Sequence, residues 1–120
     1  MDVVDTFLIK GDKKIMKIKE ITDMAIIFDN ENTITFDHIP DCCEYNYADF
    51  EQIDDIAQNT EFDENLVFEE VKDTGFRFGN TNGRMFFVPC YSDQNGYYTN
   101  DLEIYYNNKQ VLMIECPITY

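Results

Sequence analysis

The amino-acid sequence predicts an α+β domain, mainly antiparallel β-sheet with one short helix at about residues 49–58. Three observations carry this prediction. Short runs rich in Ile, Val, Phe and Tyr recur through residues 14–116, as strands require. The breaks between them are Asn, Asp and Gly clusters, residues that tolerate positive φ in tight turns. Only one segment, DFEQIDDIAQ, spaces its apolar residues for a helix. At 120 residues the chain is the length of one acidic domain, 1–120, able to bury a modest core without disulfides.

In chain order, KIMKIKE (14–20) reads as a strand from its β-branched content. MAIIF (24–28) and TITF (33–36), joined by Asp29-Asn30-Glu31-Asn32, form a β-hairpin with a short polar loop. EYNY (44–47) is a further short strand. In the helix that follows, Asp49 is placed at the N-cap, and Phe50, Ile53, Ile56 and Ala57 share one face. Its acids suit the helix dipole only in the first turn, so the helix depends on tertiary support. The second half returns to strands at 66–71, 76–79, 84–91, 101–106 and 110–116, with turns at 79–83 and 107–109. Pro89 is assigned to a sheet edge or a bulge because it lacks an N–H for the ladder. In SDQNGYYTND (92–101), Asn95-Gly96 is a turn signal, and the Tyr97-Tyr98 pair packs under a core edge or anchors an interface.

Charge narrows the function. The net charge is -15, from 24 acids and 9 bases, and residues 41–70 hold eleven acids without one Lys or Arg. Such a surface repels nucleic acid and anionic membranes and favours encounter with a basic protein. The partner-binding residues expected from this run are Asp49, Glu51, Asp54, Asp55, Glu61, Asp63 and Glu64. The N-terminal stretch carries acids before its first lysine and no long apolar run, which points to the cytoplasm. Thiols there stay reduced.

The chemistry-bearing cluster is FDHIPDCCEYNY, which sets the only histidine, His38, close to Cys42 and Cys43. Zinc takes four thiolate or imidazole ligands, and His38, Cys42, Cys43 and Cys90 supply them, with Cys116 the alternative fourth ligand. Adjacent strand residues face opposite ways, so both cysteines reach one ion only if the chain turns at Pro40-Asp41. The plainer alternative makes one cysteine a small core hydrophobe and His38 a hydrogen-bonded corner. A catalytic Cys-His pair is disfavoured because Asp41 and Glu44 raise, rather than lower, a thiol pKa. No catalytic residue is assigned. Glycine-rich phosphate loops and calcium loops are absent from the sequence.

Together, His38-x-x-Asp41-Cys42-Cys43-Glu44 and Ser92-x-x-Asn95-Gly96-Tyr97-Tyr98-Thr99 resemble the two signatures of a small phage-associated domain of unknown function. Pro40 departs from the glutamine usual in that pattern, and Cys90 and Cys116 lie outside it. By size, charge and phage context the chain is similar to phage-encoded anti-CRISPR proteins. That resemblance implies a non-enzymatic inhibitor, acting in the bacterial cytoplasm, that binds a basic surface of a CRISPR effector nuclease of type II and blocks nucleic-acid loading. In this reading the zinc site braces the corner. Two alternatives remain: a binder of a small signalling nucleotide, and a cysteine- or metal-dependent hydrolase.

Overall fold

The computed structural model describes residues 15–38, 44–94, 96 and 98–119. Its elements are β1 (Ile15–Met16), β2 (Ile18–Ile21), β3 (Ala25–Phe28), β4 (Thr33–Asp37) and β5 (Tyr45–Ala48), then a 3-10 turn (Phe50–Ile53) running into α1 (Asp54–Ala57). β6 (Phe62–Asp63), β7 (Val67–Val71), β8 (Gly75–Gly79), β9 (Met85–Asp93), β10 (Asp101–Tyr106), β11 (Lys109–Glu115) and β12 (Ile118–Thr119) follow. The class is the predicted one: antiparallel sheets with one short helical segment.

One sheet runs β11-β10-β4-β3-β2, antiparallel throughout. The other runs β12-β9-β8-β7, with β5 also paired to β9. Its β12–β9 pair is parallel. The first predicted strand is split: β1 leaves the sheet at Lys17 to pair with β6. Side chains set the turns. Thr22 Oγ1 accepts from the backbone N–H groups of Met24 and Ala25 at 3.1 and 3.0 Å, closing the β2–β3 connection. Asn107 and Asn108 take φ of 53° and 67° between β10 and β11, conformations that Asn tolerates.

Period-two alternation puts one face of each central strand inside. In β9, Phe86, Val88, Cys90 and Ser92 are buried, and in β10 Leu102 and Ile104. All of these except the polar Ser92 join Ile26, Phe28, Ile34, Phe76 and Phe78 in one continuous core that draws on both sheets. Phe62 of β6 stands where the sheets meet, its ring against Phe28 of one and Phe78 and Phe86 of the other.

The helical segment falls where the sequence placed it, but its first turn is 3-10 and only Asp54–Ala57 is α-helix. Phe50 and Ile53 line up at the three-residue repeat of the 3-10 turn, and the switch to 3.6 residues per turn at Asp54 then buries Ala57. Ile56, predicted on the buried face, is 48% exposed instead. Asp49 precedes the turn but makes no side-chain cap bond; its Oδ2 accepts from Gln52 Nε2 at 3.2 Å.

Pro89 sits inside β9, where the neighbouring strands change. Its carbonyl accepts from Asp49 N at 2.8 Å, just past the last residue of β5, so the missing N–H faces a position beyond that strand's ladder. Across from it, Gly75 lets β8 close tightly on β9: a Cβ there would lie 2.2 Å from the Val88 carbonyl oxygen. Gly75→Ala is therefore expected to destabilise the domain by at least ~2 kcal/mol, because the clash is with backbone. A chemical denaturation midpoint equal to wild type would contradict that close approach.

Candidate functional site

The end of β4, the start of β5 and the turn after β9 meet around one buried polar cluster. His38 follows β4, and its Nδ1 lies 3.3 Å from Asp101 Oδ1, while Nε2 is 3.8 Å from Glu44 Oε1. Asn46, on the inner face of β5, is 2% exposed. Its amide donates to the carbonyls of Asp101 at 2.7 Å and Thr99 at 3.2 Å, and the same nitrogen lies 3.2 Å from His38 Nδ1. Ser92 Oγ donates to Asn46 Oδ1 at 2.5 Å. Gln94 Nε2 donates to Ser92 Oγ at 2.6 Å and to Thr99 O at 3.0 Å, and its Oε1 accepts from Tyr98 N at 2.7 Å.

The two sequence motifs are thus brought into one place. His38 and Glu44 come from the first, Ser92, Tyr98 and Thr99 from the second, and Asn46 and Gln94 join them. The chain's strand alternation is why: Asn46 pairs with Ser92 across β5 and β9, so both project inward together. Neither Asn46 nor Gln94 stood out in the sequence.

Chemically the cluster holds structure together more than it offers reactivity. The two carboxylates approach different ring nitrogens of His38, so they do not converge with it on a shared point. A small cavity of about 220 Å³ opens beside it, lined by Met24, Phe36, Asp37, His38, Glu44, Tyr45 and Asn46. That lining has two carboxylates and no lysine or arginine.

Of the four predicted zinc ligands, Cys42 and Cys43 lie outside the described residues. Cys90 is a buried free thiol on the inner face of β9, as is Cys116 after β11. The β12–β9 register, extended by two residues, sets Cys116 opposite Cys90. A hydrogen bond to the Cys116 thiol, then burial, pushes the Cys90 thiol above its ordinary range. Such a thiol is a core group, not an activated nucleophile. Among the described residues no group of three or more His, Cys, Asp or Glu side chains stands together to hold a metal ion. Elemental analysis of native protein bears on the four-residue site. That site requires one zinc per chain, lost together with the fold on chelation; metal-free, folded protein removes it.

The seven predicted partner-binding acids fall into two groups. Glu51, Asp54, Asp55, Glu61 and Glu64 are exposed, whereas Asp49 and Asp63 are half-buried. Asp63 secures the chain locally, its Oδ1 accepting from Asn65 N at 2.8 Å and from Asn80 Nδ2 at 2.9 Å. None of the seven pairs with a lysine or arginine among the described residues. Exposed β11 residues Val111 and Met113 and the tyrosines of β5 and β9 are surface features that the sequence pattern did not single out. Compared with known proteins, the chain matches no protein-family model, no curated protein and no solved structure.

Proposed function

We propose that the protein is a non-enzymatic binding inhibitor, of the anti-CRISPR type that its size, charge and phage-like context suggest. Its acidic surface would take a basic face of an RNA-guided effector nuclease, most simply of type II, and exclude guide or target nucleic acid. The observation that carries this reading is the run of exposed carboxylates at Glu51, Asp54, Asp55, Glu61 and Glu64, which have no cation of the described fold to neutralise them. A channel built to hold polyanions attracts such a surface for the same electrostatic reason.

The competing classes draw less support. The cavity beside His38 is smaller than the roughly 300–1,000 Å³ typical of ligand pockets, and its carboxylates would repel a nucleotide phosphate. For a cysteine hydrolase, the described thiols are buried, and the Cys90 thiol is pushed up, away from the reactive range, by its hydrogen bond to Cys116 and by burial.

The test is a cleavage assay in which purified protein is mixed with a type II effector before guide RNA or target DNA is added. Inhibition should weaken as salt rises. The variant Asp54→Asn/Asp55→Asn/Glu61→Gln should inhibit at least ~10-fold less well, since rim charges govern encounter and specificity. Undiminished cleavage with excess protein at low salt, or full inhibition by the neutralised variant, would overturn the proposal.

A further inference from the structure

The outward face of β5 and β9 is aromatic, which is unusual for a solvent-facing sheet surface on so acidic a chain. Tyr45 and Tyr47 alternate with the buried Asn46 and Ala48, so both point away from the core. Across the ladder Tyr47 pairs with Tyr91, and Tyr45 with Asp93. The three rings form a ladder: Tyr45 and Tyr47 are stacked with centroids 4.8 Å apart, and Tyr47 and Tyr91 are 5.5 Å apart at 40°. Tyr45 is 54% exposed, and farther along the same face of β9 Phe87 is 41% exposed.

Carboxylates flank these rings. Asp49 and Asp93 lie close enough to Tyr47 to raise its phenol pKa, adding to the larger effect of burial. Arg77, on β8 opposite Phe87, is already held by Glu69, its Nε donating to Oε1 at 2.6 Å. Among the described residues no lysine or arginine stands over the three tyrosines; the cation that does cover a ring is Arg84, over Phe86.

We propose that the face formed by Tyr45, Tyr47 and Tyr91, flanked by Asp49 and Asp93, is a docking site for an arginine-bearing segment of a basic protein partner. The inference rests on the acidic-inhibitor reading and adds to it a second, chemically distinct contact. A guanidinium is planar: it stacks on a tyrosine ring and at the same time donates in parallel to a neighbouring carboxylate. An ammonium does only part of this, being compact and strongly hydrated. A polyanion is repelled by the same two aspartates. An uncharged apolar partner would have to bury them unpaired, which is costly. Tyrosine also serves interfaces well, giving large rigid contact area at little entropic cost.

The probes are two synthetic peptides of equal charge, one with four arginines separated by glycines, the other with four lysines. Binding to the intact protein is read by calorimetry at low salt. Wild type should prefer the arginine peptide by about fivefold, from the stacking and bidentate contacts. Tyr45→Ala/Tyr91→Ala should bring that ratio to about one, while Tyr45→Phe/Tyr91→Phe, which keeps the rings, should retain it. Melting curves of each variant establish that the fold is kept; the mutated side chains, Tyr45 on β5 and Tyr91 on β9, both face out. Asp54→Asn/Asp55→Asn should weaken both peptides alike and leave the ratio intact. A wild-type ratio of about one, or a ratio unchanged by the alanine variant, overturns the tyrosine site. If in that case the asparagine variant still loses affinity, the acidic-surface reading stands by itself. If neither peptide binds wild type at low salt, both readings fall.

Discussion

Phe62→Ala is expected to lower the unfolding free energy by about 3–5 kcal/mol, the largest loss for any single truncation in this core. The residue is 2% exposed and belongs to a strand of two residues, so the backbone pairing it brings is slight. Its ring makes up for that. It meets Phe28 edge-on at 5.6 Å, stacks near Phe78 at 5.9 Å and tilts against Phe86 at 5.6 Å. Removing it leaves a cavity bounded by aromatic rings from both sheets, and rings fixed on strands collapse poorly into a void. The next residue is tied down as well: Asp63 N donates to Asn80 Oδ1 at 2.9 Å, and Asn80 Nδ2 donates back to Asp63 O at 3.0 Å. The segment therefore cannot shift inward to fill the gap. A domain of this size has only about 5–15 kcal/mol to lose, so the variant should be largely unfolded by modest urea. Phe62→Leu, which keeps most of the volume, should cost about half as much. Urea denaturation gives the comparison, with the midpoint falling and the slope unchanged. A Phe62→Ala variant within ~1 kcal/mol of wild type would mean that the two sheets do not depend on this ring.

Phe62 also shows which parts of the fold were legible in the sequence. The sequence marks a strand at 66–71, LVFEEV, and leaves Phe62 outside it, so nothing singles out that phenylalanine as the one between the sheets. Strand positions were readable because alternation is local: RMFFVPCY and DLEIYY carry their inward residues at every second position. Pairings were not, since β5 joins β9 from more than forty residues away and β12 runs parallel to it. The helical segment lies within a residue of its expected bounds at each end, but Ile56 was placed inside because a 3.6-residue period was applied to a stretch whose first turn is 3-10.

The candidate site divides in the same way. His38 and the SDQNGYYT turn were visible as unusual local chemistry. Their junction was not, because Asn46 lies between two tyrosines in YNYA, and apolar character suggests that the tyrosines face in. The structure inverts that pattern: the asparagine is buried and the tyrosines are outside. Hydrophobicity and alternation give opposite answers on such a strand, and alternation fixes only that the two sets face opposite ways. The β5–β9 pairing decides between them, since Ser92 and Cys90 oppose Asn46 and Ala48 on the core side. The inverted strand is what frees a tyrosine ladder for contact.

That inversion is stable only while Asn46 satisfies its surroundings, so its replacement is the second substitution with a large expected effect. Asn46→Ala takes the acceptor from the Ser92 O–H and the side-chain donor from the Asp101 carbonyl, and leaves the Thr99 carbonyl with Gln94 alone. With buried unsatisfied groups costing about 1–3 kcal/mol each, a loss of about 2–4 kcal/mol is expected. Asn46→Asp keeps the shape but exchanges the donor for an acceptor, aimed at the Asp101 carbonyl where the amide now sits at 2.7 Å. At pH 7 it should therefore cost more than the alanine. The sign of its pH dependence follows from linkage. Burial and the facing carbonyls raise the folded-state pKa of the new carboxyl above its unfolded value of about 3.9. The folded state then holds the proton more tightly than the unfolded chain, so the penalty is smallest below pH ~4 and grows as pH rises through the raised folded value. His38, Glu44 and Asp101 are the titratable groups around it and are common to the variant and wild type, which is why the difference between the two proteins is the quantity to measure. Paired denaturation curves at acidic and neutral pH should show that difference widening toward neutrality. A pH-independent difference, or an alanine variant as stable as wild type, would place Asn46 outside the network that joins the two motifs. Hydrogen exchange offers a local readout: the Tyr98 amide, held by Gln94 at 2.7 Å, should exchange faster in either variant, because Gln94 is itself positioned through Ser92.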